Sequence, residues 1–238
     1  MSAKGAQRAM NLHSESEISE APHLTEAVYQ RLIGEIVDGK LPPGQRIRQA
    51  ALAARLGVSR APVSHALQLL KQRGLVRESG KMGVEVTPIS SDKVRDLYQI
   101  RARMDGLAAR LAAARVKIGE MPPGEVERLR RAFNAGTSVA KSAPMSQQVR
   151  ADVAFHQQIY AICGNASIAT TMDPLWSHIE RAMVLVLEAG PERQRAWAEH
   201  RDIMGAILNG QPDPAEERAF LHAANAGVFT ETRLRGSR

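Results

Sequence analysis

Four residues in the second half of the chain carry reactive side chains at positions where a helix should be apolar: Asp152, His156, His200 and His222. Asp152 and His156 are four apart, so one helix presents both on the face that also carries Val149, Val153, Ile159, Tyr160 and Cys163. His200 falls in register with Trp197, Ile203, Met204 and Ile207, and His222 with Ala215, Ala219, Ala226 and Phe229. Polar groups turned into a core cost several kcal/mol unless something satisfies them. One carboxylate and three imidazoles converging from three helices would be satisfied by a divalent metal. Zinc, nickel and manganese all suit such a set, which leaves positions open for water or ligand oxygens. The plainer alternative is a group of hydrogen-bonded core histidines. His178, near the edge of its own stripe, reads as structural.

These residues need helices to hold them, and helical periodicity runs through the whole second half. SSDK (90–93) caps a long helix reaching to about 117, and further helices are predicted over 124–136, 146–163, 166–189, 192–209 and 213–233. GEMPPGE, SVAKSAPMS, GNAS, AGPE and NGQPDP separate them. No strand pattern follows residue 88, so 89–238 reads as an all-helical bundle of about six helices. Arg101 occupies the apolar stripe of the long helix between Leu97 and Met104, which points its guanidinium into the bundle. A cation and a metal facing one cavity would grip a carboxylate, making Arg101 a candidate effector-binding residue. The alternative is an internal salt bridge to Asp105, one turn on. Asn165, in the turn after the first metal-bearing helix, is a further pocket candidate.

The first half differs in charge. The formal charge of the chain is +7, and residues 23–88 supply +5 of it, ten Lys or Arg against five Asp or Glu. Such a basic segment attracts phosphate without carrying sequence information. Residues 1–22 lack periodicity and read as a disordered tail. A helix follows (Leu24, Val28, Leu32, Ile33, Ile36, Val37), then the turn LPPG and a short helix over 49–56 stopped by Gly57. Ser59 is placed to cap a third helix, with Pro62 in its first turn, and LVRE and GVEVTP flank SGKMG as a two-stranded hairpin. Helix, helix, turn, helix and hairpin make a winged helix-turn-helix. Arg60, Pro62, Ser64 and His65 crowd the end of the recognition helix that enters the major groove, with Arg60 suited to guanine. Ser59 and the helix N-terminus suit a phosphate, as do Arg46 and Arg48, while Lys81 at the hairpin tip reaches for the minor groove or the backbone. For each the alternative is a solvated surface group.

The run GKLPPGQRI…LAARLGVSRAPVSHALQLLKQRGLV…GVEVTPIS resembles the N-terminal domain of GntR-family bacterial transcription regulators. DLYQIRARMDGLAARLAA, DVAFH, EHRDIMGAI and the later LH resemble the FCD ligand-binding domain of the FadR-like branch. The resemblance spans about residues 24–230. It implies a homodimer that binds a short palindromic operator, more often as a repressor, and that responds to a small organic acid. In many members the Asp-x-x-x-His pair and two later histidines hold a divalent metal, matched here by Asp152, His156, His200 and His222. Two departures stand out: Ser64-His65 where many members carry Arg-Glu, and Asp105 where a Glu is usual.

The expected organisation is therefore a tail (1–22), a DNA-binding domain (23–88) and an effector-binding and dimerisation domain (89–238). The single Cys163 and the lack of a signal peptide or membrane-length apolar run favour a cytoplasmic protein without membrane attachment. The chain is not expected to be an enzyme. A metal-dependent hydrolase is the first alternative, but it would need a general base beside the metal, and no spare Asp or Glu lies on these stripes. A constitutive DNA-binding protein whose metal only staples the bundle is the second.

Overall fold

The computed structural model describes residues 23–80, 83–187 and 191–236, so the expected tail and Lys81 lie outside the described residues. The chain divides between Pro88 and Ile89 into two compact units, each with its own apolar core.

The first unit is helical with a small sheet. Helix α1 covers 23–37, β1 covers Arg46–Ile47, α2 Gln49–Leu56, α3 Arg60–Gln72, β2 Val76–Glu78 and β3 Val84–Val86. Val28, Leu32 and Ile36 of α1 share one core with Val63, Ala66, Leu67 and Leu70 of α3. Gly57 closes α2 at φ 68°, the left-handed conformation that glycine adopts without strain, and α3 begins three residues later. Glu35 of α1 is buried and accepts two hydrogen bonds from the Arg55 guanidinium of α2 (2.6 and 2.9 Å) and one from Arg31 (3.3 Å). This fork ties the first helix to the helix-turn-helix.

Three expectations are corrected here. The hairpin is part of a three-stranded antiparallel sheet in the order β1-β3-β2, because Arg46 and Ile47 pair with Glu85 and Val84. A two-residue strand is too short to show alternation in sequence. Ser59 stands at the N-cap of α3, but its side chain makes no capping hydrogen bond. One of the two N–H groups that an N-cap oxygen can reach belongs to the third helical residue, here Pro62, which has none. Pro62 is itself buried with Val63, so it packs beneath the helix and does not share the exposed face of Arg60, Ser64 and His65.

The second unit consists of α4 (Ser91–Lys117), α5 (Pro123–Ser138), α6 (Met145–Ile162), α7 (Ala166–Val186), α8 (Pro191–Leu208) and α9 (Pro212–Gly236). Ser90 caps α4, its side chain accepting from the Lys93 N–H. At 27 residues α4 is about 40 Å long, and it packs chiefly on α9. Small residues let the two helices approach: Ala108, Ala109, Ala112 and Ala113 on α4, and Ala215, Ala219 and Ala223 on α9, are all buried. A Cβ at Gly227 would stand 2.6 Å from that of Tyr98. On the other side of the bundle a Cβ at Gly136 would overlap the Trp197 ring, so glycine in α5 is what lets α8 seat that indole. Trp197 in turn packs edge-on against His200 at 4.8 Å.

Candidate metal and ligand site

Helix α6 carries Asp152 and His156, α8 carries His200 and α9 carries His222. The fold brings all four together. Nitrogens of the three rings lie within 4.8 Å of one another, all three rings buried. His200 Nε2 is 3.1 Å from His222 Nε2, and the Asp152 carboxylate is 3.5 Å from His200 Nε2 and 3.8 Å from His156 Nε2. Phe155 stacks on His200 at 4.5 Å between centroids and, with Trp197, excludes water from that side.

Two further carboxylates approach from behind. Asp105 of α4 faces His156 Nδ1 at 3.3 Å, and Glu199 of α8 faces His222 Nδ1 at 2.6 Å. A carboxylate accepts only from a protonated nitrogen, so both rings present a proton on Nδ1 to their carboxylate and turn Nε2 toward the cluster. Asp105 also accepts from Arg101 Nε (3.2 Å) and from the Tyr160 hydroxyl. Burial alone would raise its pKa; the His156 ring, the Arg101 guanidinium and these hydrogen bonds outweigh it and hold the carboxyl far below its ordinary range. Burial lowers the pKa of His156, partly opposed by Asp105. Burial also pushes His200 well down, helped by its neighbours His222, His156 and Arg101. The hydrogen bond from His222 lowers Glu199.

The donor set fits a divalent metal. Neutral imidazole lone pairs and carboxylate oxygens facing one another repel unless a cation lies among them, and His200 Nδ1 is buried without a hydrogen-bond partner. Two of the three rings already have the outer carboxylate that metal-bound histidines use. One contact competes with the metal: Arg101 Nη2 donates to His156 Nε2 at 2.8 Å. Holding a metal through that nitrogen requires the guanidinium to release it.

Arg101 points into the bundle, as its stripe position predicts, and makes the salt bridge to Asp105 that was the alternative, so both expectations describe one arrangement. Its guanidinium lies 4.8 Å above the Trp176 ring, and its Nη1 has no partner. A cleft opens beside this cluster, and its lining includes Arg101, Asp152, Glu199 and His222. Asn165 is a correction. It lies at the N-cap of α7, where its side chain accepts from the Ser167 N–H at 3.1 Å, and it does not line the cleft. Sequence reasoning also missed Asp105 and Glu199 as partners of the histidines: the search for a spare Asp or Glu covered only the stripes of the metal-bearing helices, and these two approach from α4 and from the flank of α8. Both, however, are committed to imidazole N–H groups.

In the first unit Arg46, Arg48, Ser59, Arg60, Ser64 and His65 are all exposed. Residues 24–86 match bacterial regulatory proteins of the gntR family, and residues 96–225 match the FCD domain. The chain belongs to the GntR family of transcriptional regulators. This GntR-family regulator is 28% identical over 81% of its length to a probable D-xylose utilization operon transcriptional repressor of Paenarthrobacter nicotinovorans, covering 82% of that protein. It is 30% identical over 82% of its length to an HTH-type transcriptional regulator of Streptomyces ambofaciens, covering 80% of it. Its fold is similar to that of E. coli McbR/YncC (TM-score 0.75, 17% identity, 89% of this chain and 98% of the other). A transcriptional regulator of Rhodococcus sp. RHA1 is similarly close (TM-score 0.73, 21% identity, 90% and 99%). The helix-turn-helix domain of the family implies binding to DNA, and among the described residues no helix is long and apolar enough to cross a membrane.

Proposed function

We propose that this regulator is a homodimeric repressor whose affinity for operator DNA is set by a small carboxylate bound beside a divalent metal. The observation that carries the reading is the convergence of three buried imidazoles and Asp152 beside a cleft that Asp152, His222 and Arg101 line. Asp152, His156, His200 and His222 hold the metal, with zinc, nickel or manganese all compatible with the donors. The metal supplies a Lewis-acidic anchor for a ligand oxygen. Arg101, drawn off His156 when the metal is held, turns to the ligand carboxylate while Asp105 keeps its Nε in place.

The same helix gives the signal a route. Arg101 and Asp105 stand on α4, and only residues 87–90 separate α4 from β3 of the DNA-binding unit. Ligand held by Arg101 therefore biases the helix from which that unit is suspended, a population shift between dimer geometries. On DNA, Arg60 reads a base edge while Arg46, Arg48 and the start of α3 at Ser59 engage phosphates, with Ser64 and His65 completing the face. Two relatives point to repression: the Paenarthrobacter protein and E. coli RspR, 22% identical, are both described as transcriptional repressors.

The test is metal analysis of the purified chain combined with operator binding, with and without candidate acids, for wild type and His200→Ala. Wild type should carry about one divalent ion per chain and change its operator affinity with an acid. The variant should lose both and still bind the operator. Full metal content in His200→Ala overturns the site. Chelation that unfolds the second unit, with no acid altering operator affinity, favours a purely structural metal.

A further inference from the structure

Gln148 lies on α6 one turn before Asp152, on the same helix face, and lines the same cleft. It is buried, and both protons of its amide are used: Nε2 donates to the carbonyls of Ala143 (2.8 Å) and Lys141 (3.2 Å). Two carbonyl acceptors fix which end of the amide is nitrogen, so Oε1 is an acceptor by necessity. That oxygen is buried and without a hydrogen-bond partner. Arg101, lining the same cleft, has the opposite deficit, a buried donor at Nη1 without an acceptor. Arg193 Nε, on the same cleft, is a further buried donor without an acceptor, and unmet groups of both senses on one cleft describe a ligand that both accepts and donates hydrogen bonds. The rest of the lining mixes apolar residues, Val149, Met183, Trp197 and Phe229 among them, with charged and polar ones that include Arg195 and Thr230.

Resting on the acid-responsive reading above, we propose that Gln148 is a specificity-determining residue that accepts a hydrogen bond from a hydroxyl or ammonium group of the effector. The effector carboxylate is held at the Arg101 and metal end, and its hydrocarbon part lies against Trp197 and Phe229. An acid without the donor leaves the buried Oε1 unmet and binds more weakly, since a site built to pair a substrate OH or NH rejects the analogue lacking it.

The experiment is calorimetric titration of the full-length, zinc-loaded chain with matched acids. One set is butanoate, 2-hydroxybutanoate and 2-aminobutanoate; the other is 3-phenylpropanoate, 3-phenyllactate and phenylalanine. A hydroxy or amino member should bind about tenfold or more tightly than its unsubstituted parent, and the two substituted arms distinguish hydroxyl from ammonium. In Gln148→Met this preference should fall to within about twofold, while zinc content stays as in wild type. Equal binding of parent and substituted acids to wild type overturns the proposal, as does a preference that survives in Gln148→Met. If that variant fails to fold, the wild-type preference decides alone. Binding of no acid at all overturns the acid-responsive reading, a different result from acids that bind without preference.

Discussion

Asp105→Asn is the perturbation that most directly separates the outer carboxylate from the rest of the site. The change preserves volume and keeps one amide oxygen, placed for His156 Nδ1–H and Arg101 Nε–H, while its NH2 turns to the Tyr160 hydroxyl, whose oxygen can accept. The main loss is the charge. Arg101 is 1% exposed, and its Nε contact to Asp105 at 3.2 Å is its only salt bridge among the described residues. Removing one partner of a buried pair costs about 3–5 kcal/mol, because the remaining charge is left uncompensated. For a unit of this size, residues 89–238, each kcal/mol corresponds to about 2–4 °C in Tm. The metal-free unit should therefore melt roughly 10 °C lower.

The chain reports on this unit selectively, because its two tryptophans, Trp176 and Trp197, both lie in it. Trp176 sits directly under the Arg101 guanidinium at 4.8 Å. Tryptophan fluorescence during urea unfolding in the presence of a chelator measures the loss without interference from the DNA-binding unit. The companion variant Arg101→Met/Asp105→Asn removes both charges while keeping an amide at position 105 beside His156 and Tyr160, and should recover most of the loss, since the stranded guanidinium is gone. Loss of less than about 1 kcal/mol in Asp105→Asn refutes the reasoning. So does a double variant as unstable as the single one, which would place the destabilisation in packing and not in the stranded guanidinium.

Three further outcomes are expected. Glu199→Ala should weaken metal affinity by about 10–100-fold in a chelator competition, since it removes the group that orients His222 while leaving every ligand in place; unchanged affinity refutes its role. Arg60→Ala should weaken operator binding by about 1–3 kcal/mol in fluorescence anisotropy and leave acid binding intact, and unaltered operator affinity removes Arg60 from base contact. Acid should loosen the DNA-binding unit through Glu35, whose pKa the Arg55 hydrogen bond lowers below its ordinary 4.5. That stability is fully present above 4.5 and is lost as pH falls through the lower folded value. Protection factors of peptides from α1 and α2, taken against the intrinsic exchange rate at each pH, should therefore fall below pH 4.5 in wild type and fall less in Glu35→Gln; equal acid sensitivity of protection in both proteins refutes the assignment.

How much of this was legible in sequence depends on whether a residue's role is local or depends on another helix. Asp152, His156, His200 and His222 were found because helical periodicity alone says which face each occupies, and the breaks between helices are marked by Gly and Pro. Asp105 was visible only as a possible partner of Arg101 four residues away. Its role in turning His156 needs the packing of α4 on α6, a contact between residues far apart in the chain. Glu199 had no signal, being half-exposed on a flank of α8, and only α9 gives it a purpose. Asn165 failed for the opposite reason: its role was local, an N-cap acceptor at the start of α7, and a functional reading displaced it.

The two outer carboxylates make the histidines unequal. His156 is oriented from α4 and His222 from α8, while His200 is held by aromatic packing between Phe155 and Trp197 and has no partner on Nδ1. Of these supports only Asp105 stands on the helix that continues from the DNA-binding unit, and it stands there beside Arg101. A ligand that engages Arg101 therefore acts on the support of one metal ligand and on α4 at the same time. In the proposed reading, that shared attachment would let binding in the cleft carry a mechanical consequence, and it is why Asp105, not itself one of the proposed metal ligands, is the residue whose replacement best tests the arrangement.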